Sequence, residues 1–176
     1  LPSAVYVEDD GSILVGQAAM NSRKRKPQNF RMEFKRDLGQ DVPVLLGNRS
    51  FQPEELYTEM FRHMKERAER SAGEKIERAY LTYPASFGKA RKEKVISAAR
   101  AAGLFDVELV DEPTAAAMSY CRAGLIQDGQ TLLIYDFGGG TFDVSLLRYE
   151  NGNYRLLTEP DGLEHCGGID IDRMIY

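Results

Sequence analysis

The residues best equipped for chemistry in this 176-residue sequence lie in one string, Asp136-Phe137-Gly138-Gly139-Gly140-Thr141-Phe142-Asp143. Three consecutive glycines between two strand-like runs remove every Cβ that would keep a backbone from closing on a ligand, so their N–H groups can converge on one anion. The two aspartates stand at strand ends, where carboxylates can hold Mg2+ or its waters against phosphate oxygens, and Thr141 adds a hydroxyl. A flexible turn is the competing reading. A tight hairpin needs one or two glycines and gives flanking acids no task, so phosphate or nucleotide binding is favoured.

Two further clusters could contribute. In Asp111-Glu112-Pro113-Thr114-Ala115-Ala116-Ala117, Glu112 falls between a strand end and a helix start, and taken alone it reads as an acid stabilised by the helix dipole. Gly167-Gly168-Ile169-Asp170 again places glycines before a helix, where a phosphate or ribose could approach. Neither is specific by itself. The sequence has no GxxxxGK[ST], no GxGxxG opening a helix, no GxSxG and no HExxH, which leaves the common nucleotide, hydrolase and zinc-protease classes unsupported.

The elements that must position these residues follow from periodicity. Ala4–Val7 and Ile13–Val15, separated by Glu8-Asp9-Asp10-Gly11, predict a hairpin. Gln17 to Arg36 is polar and basic and reads as short helices ending in Phe34-Lys35-Arg36 before Gly39. From Pro53 to Ala72 the residues Leu56, Met60, Phe61, Met64 and Ala68 recur at helical spacing, with Pro53 at a first helical position and Gly73 at the stop, and the stripe reads as core packing. A strand at Ala79–Tyr83, a helix from Lys89 to Ala102 and a strand at Val107–Val110 form a βαβ unit. Asp111-Glu112-Pro113 then sits at the strand's C-terminal edge, where open α/β sheets place ligands. Thr114 to Arg122 reads as a helix stopped by Gly124. Beyond Gln127-Asp128-Gly129, which reads as a linker, Thr131–Asp136, Phe142–Tyr149 and Tyr154–Thr158 form an antiparallel meander turned by the glycines and by Asn151-Gly152.

Composition excludes several classes. With 43% apolar residues the chain can bury one sizeable core. A formal charge of −4 offers polyanions no general attraction. The basic run Arg23-Lys24-Arg25-Lys26 lacks interleaved aromatics and reads as a solvated loop or helix end, so no nucleic-acid role is expected. Cys121 and Cys166 are unpaired in sequence, and His63 and His165 are too few and too separated for zinc, which points to a reducing compartment. Nothing approaches a membrane span or a signal peptide, so a soluble cytoplasmic protein without membrane partners is expected. Asn48-Arg49-Ser50 is read as a chance sequon. The opening Leu1-Pro2-Ser3 and the apolar close Met174-Ile175-Tyr176 read as the ends of a piece cut from a longer protein.

The strings FKRDLG, LTYPASF, DEPTAAA, IYDFGGGTFD and HCGGIDID, in this order, resemble the nucleotide-binding (ATPase) domain of Hsp70-type chaperones along essentially the whole chain. That resemblance implies an α/β fold of the actin-like, ribonuclease-H-like class, here incomplete: most of lobe I in residues 1–127 (outer subdomain about 1–77, core part about 78–127) and the first strands of lobe II in 128–176. It implies ATP or ADP with Mg2+ and K+ as cofactors. Lys35 matches the lysine that approaches the γ-phosphate and steadies the attacking water, and Glu112 the carboxylate that positions the magnesium water shell. Asp136 matches the aspartate near the magnesium and the water, and Asp143 the one linked to the monovalent cation. Gly138, Gly139, Gly140 and Thr141 match the second phosphate loop, Gly168 the glycine near the nucleoside, and Pro84 and Arg91 the relay toward the peptide-binding half. The implied partners are unfolded polypeptides, bound through a domain outside this chain, a J-domain co-chaperone and a nucleotide-exchange factor, and the implied setting is the stress response.

Two departures stand out. Between Leu38-Gly39 and Phe51 only Gln40 to Ser50 are present, where typical members carry a longer strand-bearing insert, a shortening similar to the HscC-like branch. Cys166 replaces an apolar residue beside Gly167-Gly168 and is read as packing. The family's first phosphate loop and its adenosine-binding segments are absent from these residues, so the isolated chain is expected to show little or no ATPase activity. The competing readings are a catalytically silent nucleotide-binding interaction module, and a sugar kinase or filament-forming actin relative; DEPTAAA and the position of Lys35 favour the chaperone.

Overall fold

In a computed structural model, which describes residues 1–159 and 161–175, the chain forms two compact units. Tyr176, the last residue of the apolar close, lies outside the described residues. One unit comprises Leu1–Ala79 with Lys89–Glu108; the other comprises Tyr80–Gly88 with the chain from Leu109 onward. Among the described residues no helix is long and apolar enough to cross a membrane.

The first unit begins with the expected hairpin, β1 (Ala4–Val7) and β2 (Ile13–Val15), turned through Gly11 at φ 85°. Helix α1 (Gln17–Ser22) follows, then a 3-10 turn at Pro27–Asn29 and β3 (Phe30–Met32). The sequence suggested only short helices between Gln17 and Arg36. The strand β3 exists because Phe30–Met32 pairs antiparallel with Ala4–Tyr6, completing the order β2-β1-β3. All four residues of β1 are buried, since both of its faces are covered. Val5 and Val7 join Val15, Phe34, Leu46, Phe51 and Leu56 in the main core, while Ala4 and Tyr6 pack with Ala19 of α1.

The basic run is half neutralised. Arg25 meets Glu8 at 2.9 Å and Lys26 meets Asp9 at 2.6 Å, joining the start of β3 to the β1–β2 turn. These are exposed, solvent-screened pairs that contribute little to stability.

The shortened segment after Gly39 still forms a hairpin, β4 (Val44–Leu46) and β5 (Arg49–Phe51). Its turn is seated by Gly47 (φ 59°), where a Cβ would fall 2.8 Å from Asn29 Oδ1; the Asn29 amide in turn donates to Val7 O at 2.7 Å. Helix α2 runs from Pro53 to Ala72 as its stripe predicts. Its start is a capping box between Gln52 and Glu55, and its end is Gly73 at φ 74°. The stripe is only partly core. Leu56 is fully buried and Tyr57 and Met60 pack against the core, but Met64 is 45% exposed and Ala68 is exposed as well. Helix α3 (Lys89–Ala101) packs on α2 through Val95, Ala98 and Ala99, and Lys94 pairs with Glu54 at 3.0 Å. The strands that flank α3, β6 (Arg78–Tyr83) and β7 (Asp106–Asp111), are hydrogen-bonded neighbours, as a βαβ unit requires.

In the second unit, α4 (Glu112–Arg122) is followed by β8 (Thr131–Phe137), β9 (Thr141–Glu150), β10 (Asn153–Leu156), β11 (Asp161–Glu164) and α5 (Gly168–Ile175). The meander is present but is not the whole sheet. β9 is central: β8 pairs along one edge of it, while β10 and β11 share the other, β10 opposite 147–150 and β11 opposite 141–144. The sheet face bearing Leu147 and Ser145 is buried and α4 packs against β8 and β9, whereas Leu133, Tyr135 and Leu163 on the opposite face are exposed. The Asn151-Gly152 turn has φ of 51° and 77°, the signature of a two-residue hairpin turn. The Gln127–Gly129 segment, read as a linker, is held to that turn: Gly129 N donates to Tyr149 O at 2.8 Å and Asn151 N to Asp128 Oδ1 at 2.6 Å.

Candidate functional site

The glycine loop joins β8 to β9 in the second unit. Phe137 and Phe142 form the last cross-strand pair, and Gly138 N donates to Thr141 O at 2.9 Å to close the turn. None of the three glycines has a left-handed φ. A Cβ on Gly138 or Gly139 would meet its nearest neighbour at 3.5 or 3.6 Å, an ordinary contact. The fold itself therefore does not require glycine at these two positions, and the missing side chains leave their backbone bare to a ligand.

Helix α5 is built onto this loop. Gly168 N donates to Gly138 O at 3.1 Å and Ile169 N to Gly139 O at 3.0 Å, while Gly167 N donates to Asp170 Oδ2 at 2.9 Å. A Cβ on Gly167 would lie 2.5 Å from Gly140 N and from the carbonyl carbon of Gly139, so this glycine is imposed by backbone contact. Two amides of the helix start are thus spent on the loop's own carbonyls. Gly168 differs from Gly167: nothing lies within 4 Å of a Cβ added to it, and its α-carbon faces open space.

Asp136 and Asp143 are direct cross-strand partners in the β8–β9 ladder. Directly opposed residues of an antiparallel pair project to the same face with Cβ atoms about 4.5–5.5 Å apart, and like charges there repel. A cation or its hydration shell placed over the pair would offset that repulsion. On the other edge Asp143 is opposite Gly162, where a Cβ would fall 2.6 Å from Asp143 Oδ1; Oδ1 therefore leans over Gly162. Ser86 Oγ stands 3.5 Å from the same oxygen. Neither Ser86 nor Gly162 carries a sequence signal that marks it as part of the site, whereas Gly167 belongs to a glycine pair that reads as a possible ligand approach and is found to be a packing glycine. Among the described residues no three His, Cys, Asp or Glu side chains are grouped to ligate a metal directly, and the opposed pair suits an ion held through water.

Glu112 is the first residue of α4, and the preceding Asp111 is the N-cap, its Oδ1 accepting from Thr114 N at 2.8 Å. With capping done by Asp111, the half-buried Glu112 carboxylate is not needed for it.

Lys35 belongs to the other unit. It sits in a run of turns from Glu33 to Gly39, closed by Arg36 N to Glu33 O, Asp37 N to Phe34 O and Leu38 N to Lys35 O. Buried Phe34 and Leu38 pin the run to the core on either side of the lysine, and Phe34 meets Tyr57 of α2 edge to face at 5.5 Å. Gly39 ends it at φ 80°, with the stem of Arg91 so close that a Cβ on Gly39 would be 3.0 Å from Arg91 Cγ. Arg91 on α3 thus packs against the turn that carries Lys35. Pro84, by contrast, is in the second unit. The structure groups Asp136, Gly138–Gly140, Thr141, Asp143 and Gly168 around one loop, and places Glu112 in the same unit.

The family model described as "Hsp70 protein" covers residues 1–176. The chaperone protein DnaK of Mycoplasmopsis synoviae is 38% identical over 175 residues, 99% of this chain and 28% of that protein. Those of Mycoplasmopsis agalactiae and Mycoplasmopsis pulmonis are each 37% identical over 176 residues, again 99% of this chain and 28% of theirs. The chain spans little more than a quarter of the length of these relatives. With a family match along its entire length, joined to a glycine hairpin flanked by opposed aspartates, the chain belongs to the Hsp70 family.

Proposed function

We propose that this chain supplies part of the nucleotide-binding domain of an ATP-hydrolysing chaperone. The observation that carries the reading is the Gly138–Gly140 loop, whose first two glycines neither φ nor internal contact demands. Backbone amides there suit the phosphates of ATP or ADP. Asp136 and Asp143 would hold Mg2+ through water, Asp143 would also serve K+, and the bound ions would neutralise phosphate charge. Thr141 and Gly168 complete the ligand face, the latter toward the nucleoside. Glu112 orders metal-bound water, and Lys35 steadies the attacking water and the developing charge. The lobe boundary near residue 127 is part of the same reading.

At the level of the whole protein, nucleotide state is relayed through Pro84 and Arg91 to a peptide-binding region. The clients are unfolded polypeptides, assisted by a J-domain co-chaperone and a nucleotide-exchange factor, in the cytoplasm and under stress. The deciding experiment is single-turnover ATP hydrolysis by the full-length protein and its Lys35→Ala variant, with ATP affinity from calorimetry. The expected result is a rate reduced at least about a hundredfold, as for loss of a preorganised charge-stabilising group, with affinity changed little. Equal rates would remove Lys35 from the mechanism, and ATP binding without turnover in the parent would favour a silent binding module.

A further inference from the structure

We propose that Ser86 is a positioning residue for Asp143, and that through this carboxylate it sets the response of the site to a monovalent cation. Only the cation response depends on the nucleotide-site reading above; the positioning stands on geometry.

Asp143 has two neighbours across the sheet. On β8 it faces Asp136, a like charge, and on β11 it faces Gly162. Repulsion from Asp136 favours any rotamer that carries the Asp143 carboxylate away from it. Gly162 makes that rotamer available, because a side chain there would fall 2.6 Å from Oδ1 and 3.2 Å from Cγ. Ser86 supplies the hydrogen-bond donor on the side to which the carboxylate leans, its Oγ standing 3.5 Å from Oδ1. That is the long end of hydrogen-bond range, and site contacts of this kind tighten when a ligand is bound.

The donor is well anchored. Ser86 lies between buried Pro84 and buried Phe87, and Phe87 N donates to Pro84 O at 2.9 Å. This turn belongs to the same compact unit as the hairpin. Without the hydroxyl, Oδ1 loses its donor, the carboxylate is freer to swing toward Asp136, and a cation shared with Asp143 meets a less ordered ligand.

The test is a double-mutant cycle on the nucleotide-free full-length protein, comparing Ser86→Ala, Asp143→Ala and the double variant by urea denaturation. The expected result is non-additivity: Ser86→Ala shifts the unfolding equilibrium about threefold or more when Asp143 is present and not when it is alanine. Ser86→Thr, which keeps the hydroxyl, should behave as the parent. Additive effects, or a Ser86→Thr variant as impaired as Ser86→Ala, would overturn the positioning role. In the same variants the K+ concentration for half-maximal single-turnover ATP hydrolysis should rise about three- to tenfold in Ser86→Ala, with the rate at saturating K+ nearly recovered, and return in Ser86→Thr. An unmoved K+ midpoint would overturn the cation response. If the cycle is non-additive but the protein takes up no ATP, the nucleotide reading and the cation response fall together, and the positioning of Asp143 stands.

Discussion

Gly167 and Gly140 meet backbone to backbone: a Cβ on Gly167 would lie 2.5 Å from Gly140 N, so the start of α5 can dock on the glycine hairpin only because residue 167 has no side chain. A Cβ on the adjacent Gly168 would meet nothing within 4 Å. Of two consecutive glycines, the fold requires the first and leaves room for a side chain at the second.

Substitution separates them. Gly167→Ala must push α5 off the hairpin and should destabilise the protein by about 1–3 kcal/mol, the usual penalty for overpacking. Gly168→Ala, at the first position of α5 and without a left-handed φ, should leave stability unchanged or raise it by up to about 1 kcal/mol. Its cost should appear in nucleotide affinity instead. Urea denaturation beside ATP titration checks both, and a destabilised Gly168→Ala with unaltered affinity would contradict the division.

The opposed carboxylates should trade stability against binding. Since Asp136 faces Asp143 directly, Asp136→Asn removes a like-charge contact and should stabilise the nucleotide-free protein by about 0.2–1 kcal/mol at low salt, less as salt is raised. The same variant should bind Mg-ATP more weakly and hydrolyse it more slowly. Thermal unfolding at two ionic strengths, with and without Mg-ATP, reads both effects; a variant less stable than its parent at low salt would mean that the pair is not repulsive.

A third expectation concerns acid. Glu69 on α2 accepts from Lys65 Nζ at 2.7 Å and from Ile76 N at 3.0 Å, and these bonds, the lysine's first, hold its carboxyl below the ordinary value of 4.5. A carboxyl lowered in the folded state contributes stability that is fully present above its unfolded value and is lost as pH falls through the folded one. Glu69→Gln should therefore lower the melting temperature near neutral pH, and the difference from the parent should shrink as pH drops below 4.5. A difference constant across that range would show that the ionised form is not what ties the segment after Gly73 to the helix.

The sequence by itself determined whatever depends on local backbone preference. Pro53 at the first turn, an apolar stripe and Gly73 at the stop make the bounds of α2 legible, and the capping box of Gln52 and Glu55 is added by the structure. Asn151-Gly152 accept the positive φ angles of a tight hairpin, and the Gly138–Gly140 string, with more glycines than a tight hairpin needs, is what suggests a phosphate loop. Only the tertiary structure decided the rest. Phe30–Met32 is a strand through its pairing with β1, not through its own pattern. Met64, although on the apolar stripe of α2, is exposed, while Lys65 and Glu69 beside it are largely covered. Gly162 looks like any glycine until Asp143 is brought against it, the packing role of Gly167 shows only when Gly140 is brought against it, and Ser86 reaches Asp143 across 57 residues of chain. Contacts of this kind are set by which surfaces the fold closes together, and no local periodicity or propensity encodes them.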